Sequence, residues 1–239
     1  MVLVSDCPEP VALPRMSSDS QPLVTRALVE NIVREVVRKR LAPPGAVPAP
    51  KLVVDASARH MHVSRADLDI LFGKGYELGI HRPLYQDGHY AAKETVTLIG
   101  PRSRLISNLR ILGPIRDRSQ VELAFTDAIS LGIDDIPIRL SGNIDGTPGA
   151  FIMGPAGMVE LKEGVIRAAI HVHMNPGEAA YYGVKHGEMM KLRVGGDAGV
   201  TFNRVHVRVD PKVRLNVHMD TDEANACGLH LAREIELVK

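Results

Sequence analysis

Residues 58–67 read ARHMHVSRAD, and residues 169–178 read AIHVHMNPGE. Each stretch carries two histidines one residue apart, and each continues into a short helix-like segment that ends at a glycine. Farther along, VEL at 121–123 and VHM at 217–219 each precede a Thr-Asp segment. The same elements therefore follow in the same order twice, which predicts an internal duplication and a body of two related lobes.

The body from residue 51 onward consists of short β-branched runs separated by Gly, Pro and Asp. Many short strands with few helices are typical of barrels and sandwiches. We therefore predict a mainly β (α+β) fold of two tandem, pseudo-symmetric β-barrels capped by short helices. The two halves are placed at 51–145 and 146–239, with strands free to be exchanged between them. Two helices are predicted, one from Ser64 to Gly73 and one from Pro176 to Gly183.

The first fifty residues differ from the body. Residues 1–21 are rich in Pro and Ser and follow no period, which predicts a disordered tail. Residues 22–41 place their apolar side chains on one face at the helical period, so an amphipathic helix is expected there. Residues 42–50 read APPGAVPAP, a Pro-rich linker. The helix either folds back onto the core or docks on a partner, and the linker favours docking.

Composition excludes several classes of protein. The 239 residues carry 29 Lys and Arg against 28 Asp and Glu, a net charge of +1, which argues against nucleic-acid binding. No apolar run is long enough for a transmembrane helix, and the first residues do not form a secretory signal. The two cysteines, Cys7 and Cys227, exclude a disulfide scaffold and suit a reducing compartment.

The paired histidines predict metal binding. Residues i and i+2 of a strand point to the same side, so the two imidazoles of an HxH pair can meet one ion. In the repeat, Glu122 stands where the other half has His218. Three protein ligands leave one position open, as in catalytic zinc sites. A single HxH is more often two ordinary histidines, but its repetition with a third candidate ligand favours metal. The proposed ligands are His60, His62 and Glu122 in one half and His171, His173 and His218 in the other.

Basic residues provide a second clue. Arg110, Arg116 and Arg118 cluster just before Glu122, and guanidinium groups bind phosphate through two parallel hydrogen bonds. The ordinary alternative is a solvated basic turn. The closeness to a candidate ligand favours an anion site. We assign the histidines outside the repeat to turns and surfaces, with His206 the least certain because it lies on a predicted strand near the second cluster.

Four motifs resemble the phosphotransacylases of bacterial microcompartments, the PduL-type phosphate propanoyltransferases. They are SARHMHVS at 57–64, LRILGPIRDRSQVE at 109–122, IHVHMNPGEA at 170–179 and VHMDTDEANA at 217–226. The resemblance covers residues 51–239, and residues 22–41 resemble the peptides that carry such enzymes into the shell.

The resemblance implies two zinc ions per chain, held by the six ligands named above. It implies interconversion of a short-chain acyl-CoA, propanoyl-CoA first, and phosphate with acyl phosphate and CoA, inside a microcompartment in the cytoplasm. Arg116 is expected to bind phosphate as the catalytic residue. Shell or cargo proteins are the partners expected for residues 22–41, and a homo-oligomer is expected. The residues expected along the CoA cosubstrate are Ser57, Arg82, Arg110, Leu112 and Asn225.

Two other functions stay open from the sequence. In the first, the chain is a zinc-dependent hydrolase, which would cleave its substrate without phosphate. In the second, it is a non-enzymatic metal-binding adaptor of a microcompartment, with the N-terminal helix as its working part. Since no Ser-His-Asp or Cys-His set stands out, we expect direct transfer without a covalent acyl-enzyme.

Overall fold

A computed structural model describes residues 29, 30, 32, 33, 36 and 48–239. Val29, Glu30, Ile32, Val33 and Val36 are helical and exposed, and the other residues of the helix predicted at 22–41 lie outside the described residues. The predicted tail at 1–21 and most of the linker at 42–50 lie outside the described residues. Residues 1–48 and 49–239 separate into two units. None of the described helices is long and apolar enough to cross a lipid bilayer.

Strands dominate the unit from Ala49 to Lys239. The helices are α1 Arg65–Phe72, α2 Phe125–Leu131, α3 Pro176–Tyr182 and α4 Thr221–Ala226, with a 3-10 turn at Leu229–Leu231. The strands are β1 Val53–Ser57, β2 His60–His62, β3 Ile80–Pro83, β4 Tyr90–Ile99, β5 Leu105–Gly113, β6 Gln120–Glu122, β7 Ile138–Arg139, β8 Ala150–Met153, β9 Met158–Leu161, β10 Val165–Ala168, β11 His171–Met174, β12 Met189–Gly195, β13 Val200–Val209, β14 Asn216–Asp220 and β15 Glu234–Val238.

These strands form two curled, barrel-like sheets, which confirms the predicted mainly β fold. The first sheet has the order β7-β10-β6-β2-β5-β4-β8-β9, with β3 added beside β4. The second has the order β1-β14-β11-β13-β12-β15. Each sheet covers its own apolar core: Met61, Leu98 and Ile111 are central to the first, and Val172, Met190 and Val217 to the second.

The two sheets exchange strands reciprocally. β1 directly precedes β2 in the chain, yet it pairs in parallel with β14 of the second sheet. β10 directly precedes β11, yet it pairs in parallel with β6 of the first sheet. β8 and β9 also belong to the first sheet. The boundary between the sheets therefore differs from the predicted division after residue 145. The chain stays in the first sheet until β10 ends at Ala168 and enters the second sheet at β11.

Local sequence signals place the helix starts. The Ser64 hydroxyl accepts a hydrogen bond from the backbone N–H of Asp67 at the start of α1, and Asn175 and Asp220 form capping boxes at α3 and α4. The helices predicted to end at Gly73 and Gly183 do so, and both glycines have positive φ. The VEL stretch of the repeat contributes the end of β6, which stops at Glu122, and α2 begins at Phe125.

A buried charge cluster joins the two lobes. The Arg167 guanidinium, on β10, contacts the carboxylates of Asp220 and Glu223 at 2.5 Å each, and all three side chains are nearly inaccessible to water. The guanidinium also lies 4.5 Å from the centre of the Phe125 ring. Buried charges are stable only when they are paired. Removing the Arg167 cation would leave two buried carboxylates without a counter-ion and without water.

We expect Arg167→Met to lower the free energy of unfolding by about 3 kcal/mol, the order found when one partner of a buried ion pair is removed. Urea unfolding measures the loss. Arg193→Met is the matched control, because Arg193 and Glu236 form an exposed pair and such pairs contribute about 1 kcal/mol or less. Equal losses in the two variants would contradict a role for the buried cluster.

Candidate active site and metal centre

The first histidine pair and Glu122 meet on neighbouring strands. β2 runs antiparallel to β6, with His60 directly opposite Glu122. The Nε2 atoms of His60 and His62 lie 3.5 and 3.7 Å from the carboxylate oxygens of Glu122. One candidate ligand atom from each residue lies within 4.8 Å of the other two. We name these three residues the first triad.

The second lobe repeats this arrangement with a histidine in place of the carboxylate. β11 runs antiparallel to β14, with His171 opposite His218. The ring centres of His171, His173 and His218 are 5.0 to 5.2 Å apart, and their ligand atoms also lie within 4.8 Å of one another. These residues form the second triad, and His218 holds the register position of Glu122.

Backbone carbonyls orient the imidazoles in the same way in both lobes. Nδ1 of His60 donates to the carbonyl of Ala58, and Nδ1 of His171 donates to that of Ala169, each at 2.8 Å. A carbonyl can only accept, so these rings present an unprotonated Nε2 to the triad. His218 adds a second indication, because its buried Nε2 has no hydrogen-bond partner among the described residues. A buried polar atom without a partner is costly, and a bound cation would satisfy it. The donor sets therefore fit divalent metal ions.

Arg116 lies beside the first triad. Its backbone N–H donates to the carbonyl of Val63, one residue after His62, and its guanidinium donates to the Ser141 hydroxyl at 3.0 Å. The same hydroxyl donates to the Glu122 carboxylate at 2.8 Å. Ser141 thus links the predicted phosphate-binding cation to the third residue of the first triad.

Comparison with known proteins identifies the family. The family model described as phosphate propanoyltransferase matches residues 53–230, which include both triads and Arg116. The chain belongs to the phosphate propanoyltransferase family. This confirms the resemblance found in the sequence, and the chain is an acyltransferase.

Three relatives, each named phosphate propanoyltransferase, show how far this similarity extends. The protein from Planctopirus limnophila is 52% identical over 237 residues, covering 94% of this chain and 96% of its own length. The Thermotoga maritima protein is 46% identical, with 87% of this chain and 95% of its own length covered. The Salmonella typhimurium protein is 44% identical over 83% of this chain and 92% of its own length.

Burial keeps the imidazoles of His62, His171, His173 and His218 neutral in this acyltransferase. Loss of hydration lowers the pKa of His62 and of His218 to about 3 and that of His173 to about 2, and neighbouring imidazoles lower these values further. The pKa of His171 is lowered for the same reason. Unprotonated imidazoles are the form that binds metal, so the site is prepared to accept a cation at neutral pH.

The carboxyl group of Glu122 is ionised, whereas those four buried imidazoles are neutral. Burial would raise the pKa of this carboxyl, but the nearby His60 and His62 and the hydrogen bond from Ser141 outweigh it and hold the pKa at about 2. The Gln120 amide also donates to the carboxylate at 2.6 Å. The first triad therefore carries a fixed negative charge, whereas the second triad carries none.

The other predicted site residues lie at different distances from the triads. The Ser57 hydroxyl is 3.4 Å from Nδ1 of His218, and the Leu112 carbonyl accepts from Nδ1 of His62 at 3.3 Å. Arg110 sits beside His60 in the sheet and donates to the carbonyls of Ala92 and Lys93. Arg82 and Asn225 are exposed and form no hydrogen bond or ion pair with either triad.

The structure changes the role expected for Arg118 and reveals three further residues near the triads. Arg118 forms exposed ion pairs with Asp145 and Glu163 and has no contact with either triad, so its charge is already balanced by carboxylates. Gln120 and Ser141 support Glu122, although only Gln120 has a sequence signal, since it lies two residues before Glu122 on the same strand face. Arg208 enters the site through the pairing of β13 with β11, which no local pattern reveals.

Acid should destabilise the metal-free protein. His62 and His218 have folded-state pKa values of about 3, below the ordinary value of 6.5, so between these two values the unfolded chain binds more protons than the folded chain. Stability is therefore fully present above pH 6.5 and falls as the pH decreases, by up to about 1.4 kcal/mol per pH unit for each such histidine.

Urea unfolding of chelator-treated protein at pH 7, 6 and 5 measures this slope. His62→Gln removes one of the groups responsible, so its stability should fall less steeply with acid than that of the parent protein. Parallel pH curves for the two proteins would contradict the assignment.

Proposed function

We propose that the chain is a zinc-dependent phosphate acyltransferase, with propanoyl as the first acyl group to test. The observation that carries the proposal is the pairing of two three-ligand triads with the Arg116 guanidinium, which has no carboxylate ion-pair partner among the described residues. The names of the relatives support phosphate and propanoyl as substrates. Coenzyme A is the cosubstrate that this chemistry requires.

Two zinc ions would be held by the first and second triads. Each triad supplies three protein ligands and leaves a position open, and sets of imidazoles with or without one carboxylate suit zinc. When bound, zinc would supply Lewis-acid stabilisation of developing negative charge, including that of a leaving thiolate. Gln120 and Ser141 hold the Glu122 carboxylate in place by hydrogen bonds at 2.6 and 2.8 Å.

In the proposed reaction, an oxygen of hydrogen phosphate attacks the thioester carbonyl carbon. The new carbon–oxygen bond forms, the carbon–sulfur bond breaks, and the phosphate proton ends on the sulfur of CoA. Arg116 would bind the phosphate oxygens and hold the nucleophile near the carbonyl. Burial lowers the pKa of this guanidinium and the Glu122 charge raises it, and an arginine remains cationic at neutral pH.

The CoA cosubstrate would lie along Ser57, Arg82, Arg110, Leu112 and Asn225. Three of these residues are tied to the triads: Ser57 faces His218, Leu112 orients His62, and Arg110 is the strand neighbour of His60. Arg82 and Ala91 are partners in the sheet, and Ala91 is in turn the partner of Leu112. Leu112, Ala91 and Arg82 therefore form one row of paired residues across the sheet. Arg82 lies at its exposed end, where the far end of a long cofactor can reach it.

Direct transfer is favoured over a covalent acyl-enzyme. Cys227 is buried in the second core, and burial raises its thiol pKa, so it is a poor nucleophile. Ser57 lies near His218, but the Nε2 atom of that ring has no carboxylate to orient it. A complete Ser-His-acid relay is therefore missing among the described residues.

The N-terminal helix is proposed to dock on shell or cargo proteins of a microcompartment. Val29, Ile32, Val33 and Val36 are each about half exposed and follow the spacing of a single helical face. We also propose that the chain forms a homo-oligomer. Phe151, Met153 and Met158 supply exposed apolar side chains on the strands β8 and β9 for such contacts.

Arg116→Ala should abolish phosphate-dependent CoA release from propanoyl-CoA while leaving two zinc ions per chain. The reason is that the guanidinium binds substrate, whereas the triads hold the metal. A thiol-release assay with and without phosphate, together with elemental analysis, tests both parts. Arg118→Ala is the matched control and should keep its activity, because Arg118 is engaged in exposed ion pairs. CoA release without phosphate would instead indicate a hydrolase.

Deleting residues 1–50 should leave turnover within about twofold and abolish encapsulation, since β1 begins only at Val53. Val33→Glu places a charge on the exposed apolar helix face and should reproduce the loss of encapsulation in the full chain. Co-purification with shells and the thiol-release assay measure the two properties. Loss of turnover in the truncated chain would contradict separate roles for the helix and the body.

A further inference from the structure

Arg208 comes to the second triad from a neighbouring strand. β13 runs parallel to β11, with His206 beside His171 and Arg208 beside His173. Paired residues on adjacent strands project to the same side of a sheet. The Arg208 side chain therefore lies on the sheet face that carries the second triad.

Arg208 also lies within electrostatic reach of Arg116. Its positive charge lowers the pKa values of His171, His173 and His218, and it lowers that of Arg116 as well. Arg116 follows β5 of the first sheet and Arg208 lies on β13 of the second. The two guanidinium groups therefore belong to opposite lobes, each on the side of its own triad.

Neither guanidinium is neutralised by an ion pair. Arg116 donates to the neutral hydroxyl of Ser141, and Arg208 forms no ion pair within the described part of the chain. Glu122 attracts Arg116, but this carboxylate belongs to the first triad. Eight other arginines of the described residues pair with carboxylates: Arg59, Arg65, Arg102, Arg118, Arg167, Arg193, Arg214 and Arg233.

The second triad supplies no negative charge to balance the two guanidinium groups. It consists of three neutral imidazoles and has no carboxylate, so nothing in the triad offsets the charge of Arg208. Two like charges held close together in a partly buried site repel each other unless an anion lies between them. The arrangement calls for a small, doubly charged anion that can accept several hydrogen bonds.

We propose that Arg208 is the second half of an orthophosphate clamp, in which Arg116 and Arg208 bind the same phosphate from opposite lobes. Two guanidinium forks supply enough donors for a phosphate dianion and would hold it between the triads. The proposal deepens the proposed function, on which it rests, by assigning a phosphate-binding residue to the second lobe. The phosphate groups of CoA share the same chemistry, and the experiment separates them from orthophosphate.

Calorimetric titration of the full chain with inorganic phosphate tests the clamp without requiring turnover. Arg208→Gln should weaken phosphate binding about tenfold, as expected for losing one charge-assisted contact, and Arg208→Lys should recover part of it. Arg204→Gln is the matched control and should bind phosphate within about twofold of the parent protein. Arg204 is exposed on the same strand, and its charge acts on His206.

Kinetics and CoA titration distinguish the outcomes. The clamp predicts that Arg208→Gln raises the KM for phosphate about tenfold and leaves the KM for acyl-CoA, the affinity for CoA and the zinc content unchanged. Unchanged phosphate binding, weaker binding of CoA alone, or loss of zinc would overturn the proposal. If the parent protein binds phosphate but releases no CoA from acyl-CoA, the proposed function fails, while the binding data still decide the clamp.

Discussion

The site depends on the extended backbone of two very short strands. Because side chains alternate along a strand, His60 and His62 face one point, and His171 and His173 face another. The carbonyl two residues before each first histidine binds its Nδ1 and turns Nε2 toward the triad. A one-residue slip in register would send both imidazoles to the opposite face. The neighbours β6 and β14 prevent that slip by pairing with the HxH strands across the sheet.

Strand exchange explains why the two sites share one region. The chain crosses from one sheet to the other through Ala58 and Arg59 before β2, and through Ala169 and Ile170 before β11. Each crossing ends at the first histidine of a pair, so both HxH strands start where the lobes meet. The buried cluster of Arg167, Asp220 and Glu223 joins the lobes, and its two acids lie at the start of α4, which directly follows β14 of the second triad. The stability of the interface and the geometry of the site are therefore linked.

The two lobes differ in charge at equivalent register positions. Glu122 and His218 occupy the same register position, and Arg110 in the first sheet corresponds to His206 in the second. The first triad is anionic and is supported by Gln120 and Ser141, whereas the second is neutral and has Arg208 beside it. One lobe is thus suited to binding a cation tightly, and the other to bringing an anion close to a cation. Two sites of equal charge could not divide tight cation binding and the approach of an anion between them.

Local patterns in the sequence predicted the β-rich body, the helices that begin at Ser64 and Pro176, and all six triad residues, because each depends on spacing along the chain. They did not reveal which sheet β1 and β10 join, because two parallel strands carry no signal for their partners. For the same reason, the sequence did not show that Arg208 lies beside His173 or that Arg118 pairs with Asp145 and Glu163. These residues are placed by long-range pairing, which a single sequence does not encode in any short motif.

The convergence of the two triads on two metal ions is the central claim, and anomalous diffraction from crystals of the purified chain, recorded on both sides of the zinc absorption edge, tests it most directly. The account predicts two anomalous peaks per chain, one within bonding distance of His60, His62 and Glu122 and the other within bonding distance of His171, His173 and His218. Peaks at other positions, or no anomalous signal from protein supplied with zinc, would contradict it.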